Sequence, residues 1–174
     1  MENNVHAMTS SAAASNPTAR DLATRYVPAA GRLDRWTNAV AAWLTRHGLS
    51  LKGSRILAVR GRSSGQWRTT PVNVLALGGR RYLVAPRGHT QWVRNLRIAG
   101  SGELRLGRRV EAFTATELPD ADKLPVLRAY LEAWGWEVGR FFEGLTKDAT
   151  DAQLAAVAAG FPVFRIAAVS GTAA

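Results

Sequence analysis

The segment Gly61-Arg62-Ser63-Ser64-Gly65-Gln66-Trp67-Arg68 concentrates groups that can hold an oxyanion. Glycines let a turn adopt positive φ and bring backbone N–H groups close to a ligand. Ser63 and Ser64 supply hydroxyl donors, and Arg62 and Arg68 supply planar forks that match phosphate or carboxylate oxygens. A charged, solvated hairpin has the same composition, so the segment alone leaves both readings open. Arg87-Gly88-His89 repeats the theme, and Trp92 and Asn95 fall three residues apart, on one side of a short helix. Trp92 reads either as core or as a platform for a ligand. His89, next to a loop glycine, is expected to be exposed.

Other chemistries are poorly served. The chain of 174 residues has no cysteine, which removes disulfides, thiolate nucleophiles, iron–sulfur clusters and thiolate zinc sites. Its three histidines, His6, His47 and His89, are not spaced as paired metal ligands, so no metal centre is expected. Neither dinucleotide-binding nor P-loop glycine patterns occur. The acidic residues are too dispersed for a catalytic carboxylate pair. The formal net charge of +10 points to an anionic partner. From Lys52 to Arg109 there are 13 basic residues against the single acid Glu103, so the whole excess lies in that stretch.

The elements that must position these residues read as a strand meander. Strands are expected at Arg55–Arg60, Thr69–Leu77 and Arg80–Ala85, the last two joined by the hairpin signal Gly78-Gly79. A short helix over about Gln91–Ala99 follows, then strands at about Glu103–Leu106 and Val110–Leu118. A helix from about Asp120 to Phe142 carries Leu124, Leu127, Leu131, Trp134 and Val138 on one face. A shorter helix at about Asp151–Ala159 precedes a last strand, Pro162–Ala168. The fold class is α+β, mainly β: a small antiparallel barrel with peripheral helices. Residues 1–18 read as a disordered leader before a single domain over 19–170, with an amphipathic helix at 33–47. That helix docks on the core or lies on a membrane surface or over substrate. Without an export signal or a bilayer-length apolar run, the expected location is cytoplasmic, with peripheral contact at the inner membrane face through helix 33–47 as the membrane alternative.

Taken together and in order, these pieces resemble the deazaflavin-dependent nitroreductase family, split β-barrel (FMN-binding-like) oxidoreductases that use coenzyme F420. The shared elements are Gly61–Arg68, then Pro71 in the next strand, Gly78-Gly79-Arg80, Arg87-Gly88 and Trp92-Val93-Arg94-Asn95-Leu96, with Phe161-Pro162-Val163-Phe164 like the family's last strand. The resemblance implies that Arg62, Ser63, Ser64 and Arg68 meet the coenzyme's phosphate and anionic tail and that Arg87 reaches the same chain. It implies that Val84, Ala85, Pro86 and Arg87 flank the deazaflavin ring with Pro71 and Val72 nearby, and that Gln91, Trp92 and Asn95 cover part of it. Hydride would pass to a small-molecule acceptor, a quinone or other conjugated electrophile. Ser63 stands where many members have lysine, and Asn73 where the nitroreductase type has tyrosine. In place of that type's tyrosine-rich segment are Trp134, Trp136, Phe141 and Phe142, which either cover the substrate or pack the core.

Three other readings compete. A nucleic-acid-binding barrel would stack bases on Trp67, Tyr82 and Trp92. A related split barrel would carry FMN or haem. A coenzyme carrier would bind F420 without turnover. Split barrels often pair as homodimers, but no residue pattern marks a dimer surface here.

Overall fold

The computed structural model describes residues 18–28, 53–142 and 145–169. The expected leader and the helix at 33–47 lie outside the described residues, apart from Thr18.

Six strands, β1 (Ser54–Arg60), β2 (Trp67–Leu77), β3 (Arg80–Val84), β4 (Ser101–Leu106), β5 (Arg109–Glu117) and β6 (Val163–Ala168), form a closed antiparallel barrel in the order β1-β2-β3-β6-β5-β4. The barrel expected from the sequence is therefore the fold observed. Among the described residues four α-helices accompany it: α1 (Ala19–Thr24), α2 (Gln91–Ala99), α3 (Leu124–Val138) and α4 (Asp151–Val157). Ser54 opposes Asn73 and Arg60 opposes Trp67 in the β1–β2 ladder. That register leaves Gly61–Gln66 as the connection and sets its Arg62, with Arg60 and Arg68 of the flanking strands, at one end of the barrel. Gly78 and Gly79, at φ +56° and +70°, make the two-residue turn that joins β2 to β3.

Two cores share the strands. Inside the barrel Leu57, Val59, Leu83, Leu104, Phe113, Phe164 and Ile166 pack with Val93 and Leu96 of α2. Outside it, Tyr82, Val84 and Val163 pack against Leu127, Tyr130, Leu131 and Trp134 of α3, Leu154 of α4, and the stacked rings of Phe142 and Phe161. β3 is thus buried on both faces, which explains its apolar run after Arg81. The long helix expected over Asp120–Phe142 is divided. A 3₁₀ turn at Asp120–Asp122 precedes α3, and another at Gly139–Phe141 follows it. Pro125 sits in the first turn of α3, where its missing N–H costs nothing; farther inside a helix it would break the ladder.

Candidate functional site

Among the described residues the main cavity has a volume of about 720 Å³ and runs along β2 between the Gly61–Gln66 loop, the Ala85–Thr90 loop, α2 and α3. Such a volume suits an organic ligand. All thirteen residues that the sequence resemblance assigned to coenzyme line this one cavity: Arg62, Ser63, Ser64, Arg68, Pro71, Val72, Val84, Ala85, Pro86, Arg87, Gln91, Trp92 and Asn95. Asn73 lines it too. Trp134 and Trp136 do not: Trp134 is buried against Tyr130, and Trp136 is exposed.

The basic end is built from the Gly61–Gln66 loop, which is tied to α2, and the Ala85–Thr90 loop. Backbone bonds from Gly61 N–H to Gln66 O and from Gly65 N–H to Gly61 O, each 2.8 Å, close the first loop and leave Ser63 and Ser64 at its exposed tip. Buried Asn95 of α2 holds it down. The Oδ1 of Asn95 accepts from the backbone N–H of Arg62 at 3.3 Å and from its Nη1 at 3.0 Å. The same Nη1 donates to Oε1 of Gln91 at 2.8 Å. Arg68 and Ser63 make no hydrogen bond or ion pair among the described residues. Among the described residues Arg87 bonds through Nε alone, which donates to Val27 O at 2.9 Å, and its guanidinium lies 6.0 Å from the Phe141 ring centre. The N-terminus of α2 opens on the same cavity without a side-chain cap from Thr90, adding the positive end of a helix dipole.

The middle of the cavity is apolar. Val59, Pro71, Val72, Val84, Ala85 and Trp92 line it, and Trp92 is braced against Phe164 at 5.9 Å between ring centres. The far end is polar again, with Ser54, Asn73, Tyr130 and Glu137 beside Val138 and Phe141. Nδ2 of Asn73 donates to Oε2 of Glu137 at 3.3 Å. Burial first, then the nearby Glu137 charge, push the Tyr130 phenol far above its ordinary range, although a hydrogen bond from Asn73 opposes them. Tyr130 therefore stays a neutral donor.

His89 corrects the sequence expectation, for it is 8% exposed. Residues of the first helical segment cover it: Arg25 O accepts from its backbone N–H at 2.8 Å. Nδ1 accepts from Nη1 of Arg97 at 3.0 Å, because a guanidinium can only donate. Burial, followed by the Arg97 charge, lowers its pKa. It does not line the cavity. Sequence reasoning also missed Tyr26, Ser54, Thr90, Tyr130 and Glu137 as cavity residues. Of the four aromatics of the substrate-side region, Trp134, Trp136, Phe141 and Phe142, Phe141 alone lines the wall, and Phe142 packs in the core.

No curated protein matches the chain. Among solved structures, an F420-H2 dependent reductase is 19% identical, covering 67% of this chain and 95% of its own, with a TM-score of 0.48. A chain described as a domain-swapped dimer is 19% identical, covering 76% and 98%, with a TM-score of 0.49. HutZ, the heme storage protein from Vibrio cholerae, is 12% identical, covering 69% and 84%, with a TM-score of 0.45. The family model for F420H(2)-dependent quinone reductase matches residues 30–135, more than half of the chain. The chain therefore belongs to the F420H(2)-dependent quinone reductase family, and by that membership it is an oxidoreductase whose cofactor is the deazaflavin coenzyme F420.

Proposed function

We propose that the cavity along β2 holds F420 and that the chain reduces a quinone, enone or related conjugated acceptor at its far end. One observation carries this reading: the thirteen residues implied by the resemblance, scattered over Arg62–Asn95, line a single cavity whose ends differ in chemistry. The donor set fits the coenzyme. Among the described residues Arg68, the terminal nitrogens of Arg87 and the hydroxyl of Ser63 have no hydrogen-bond or ion-pair partner, which suits them to a phosphate or carboxylates, and charge-assisted forks suit both. The apolar middle between Pro71-Val72 and Val84-Pro86 suits a flat heteroaromatic ring.

Bound and reduced, the deazaflavin supplies a hydride; the protein supplies orientation and a dry wall. Arg62, Arg68 and Arg87 anchor the anionic end, so that the ring's position is set by contacts remote from the reacting atoms. Val84, Ala85 and Trp92 exclude water from the middle. At the far end Tyr130 keeps its proton and, with Asn73, offers hydrogen bonds to an acceptor carbonyl oxygen, which draws negative charge as it is reduced.

The test is a fluorescence titration of the purified protein with oxidised F420 beside FMN and a short oligonucleotide in one buffer. F420 alone should bind tightly. The double variant Arg62→Ala/Arg68→Ala should lose about 1.5–3 kcal/mol per charge-assisted bond. Unchanged affinity in that variant removes the anionic-end assignment, and preference for FMN or oligonucleotide removes the reading itself.

A further inference from the structure

The family match begins at residue 30, yet the described residues before it are tied closely to the cavity wall. Thr18 caps α1 through a reciprocal pair with Asp21, and buried Leu22 packs at Gly160. Arg25 then anchors the chain. Its guanidinium donates to Pro86 O at 3.1 Å and to Phe141 O, and it lies 4.3 Å from the Phe161 ring centre. Tyr26 pairs with Gly88 as an isolated antiparallel bridge. Val27 N–H donates to Arg87 O at 2.9 Å, while Val27 O accepts from Arg87 Nε at 2.9 Å. The segment therefore crosses the Ala85–Thr90 loop and clasps Arg87 by both main chain and side chain.

The crossing depends on one residue type. Gly88 has φ +77°, and a Cβ there would stand 2.1 Å from Arg25 O, well inside contact distance. What the clasp does is visible at Arg87. Nε is held by Val27 O, which orients the guanidinium, while both terminal nitrogens remain without hydrogen-bond partners among the described residues. A fork fixed before the ligand arrives loses less freedom on binding.

We infer that Arg25–Val27 is a positioning strap: it presets the Arg87 fork for the phosphorylated, carboxylate-bearing part of the coenzyme, and Tyr26 walls that side of the cavity. The inference rests on the coenzyme reading above. It assigns a role in this chain's cofactor site to residues that precede the family match.

The test uses the full chain and two probes: F420, and the same deazaflavin chromophore without its phosphate tail. Gly88→Ala alters no charge but displaces the strap at Arg25 O. It should weaken F420 by about five- to tenfold, while affinity for the tail-free chromophore changes by less than about twofold. In an Arg87→Ala background, Gly88→Ala should cause no further loss of preference for F420. Equal weakening of both probes, or the same loss of F420 with Arg87 absent, overturns the strap: Gly88 then acts only on the fold. Should Gly88→Ala fail to fold, Arg25→Gln in both backgrounds gives the same cycle, since a simple loss of charge would persist without Arg87. A wild-type protein with no preference for F420 over the tail-free probe overturns the coenzyme reading and the strap with it. A wild-type preference that both strap variants retain overturns the strap alone.

Discussion

Asn95 is the place where the fold and the proposed anion site can be separated by one atom. Its carboxamide is 5% exposed, and its Oδ1 takes two bonds from Arg62, one from the backbone and one from the guanidinium. A neutral bond contributes about 0.5–1.5 kcal/mol and one to a charged group about 1.5–3 kcal/mol. The loop carrying Arg62 is exposed, so water recovers part of both, and Asn95→Ala should cost about 2 kcal/mol. For a domain of this size that is a fall in Tm of about 4–8 °C. The freed Arg62 should also weaken F420 by about five- to thirtyfold. Asn95→Asp divides these effects. The carboxylate keeps both acceptor roles, so its Tm should lie nearer to wild type than that of Asn95→Ala. Yet it sets a negative charge against Arg62 and the incoming anion, so affinity should fall at least as far. Calorimetry and fluorescence titration read the two quantities independently. If Asn95→Asp binds F420 as wild type does, Arg62 is not serving an anion. If Asn95→Ala melts with wild type, those two bonds are not what holds the loop.

Three further outcomes follow from the same structure. Because burial and then Arg97 lower the His89 pKa, the unfolded chain takes up a proton near pH 6.5 that the folded chain resists. Stability should therefore fall as pH drops from about 7 through 6.5 toward 5, and urea unfolding of His89→Gln should show a flatter slope across that window. Gly102→Ala should destabilise by about 1–3 kcal/mol, since a Cβ there would lie 2.8 Å from Ala58 O and 2.9 Å from Cζ of Phe113; an unchanged Tm would show that the barrel can yield at that point. Tyr130→Phe should cost about 0.5–1.5 kcal/mol of stability and lower kcat/KM for a quinone while leaving F420 affinity unchanged; an unaltered kcat/KM would move the acceptor away from that end.

The legible parts of the fold were those with local causes. The turn at Gly78-Gly79 needs positive φ at both residues, and α2 ends where Gly100 adopts the left-handed region. Those signals lie within the elements they delimit, and the boundaries fell within a residue or two of expectation. The face of α3 was legible as well, and it settles the place of Trp134. Leu127, Leu131 and Trp134 follow at spacings of four and three, so the ring joins the core stripe, while Trp136, two residues on, turns away from it. The strap was not legible. α1 is six residues long, too short for a periodic face, and the partners of Arg25 at Pro86 and Phe141 are 61 and 116 positions away. His89 misled for the same reason: the loop glycine beside it signals exposure until a distant segment is seen to cross there.

The charge count was true and less specific than it looked. The window Lys52–Arg109 holds thirteen cations, but only Arg62, Arg68 and Arg87 line the cavity. Arg81 is paired with Glu111, Arg97 with Glu117 and Arg105 with Glu103. Two of those acids lie on β5, just past the window's end, so a linear count cut the strand that supplies the counter-charges. Antiparallel pairing brings β5 back beside β4 and β6 and cancels part of the excess on the barrel surface. What remains for an anion is a matter of partners rather than totals. Among the described residues Arg68 has none, Arg87 is held only through Nε, and Arg62 is held by neutral oxygens that leave its charge intact. Among the described residues those three cations line the cavity without an ion-pair partner, and that local imbalance, not the +10 of the whole chain, is the electrostatic case for an anionic coenzyme tail.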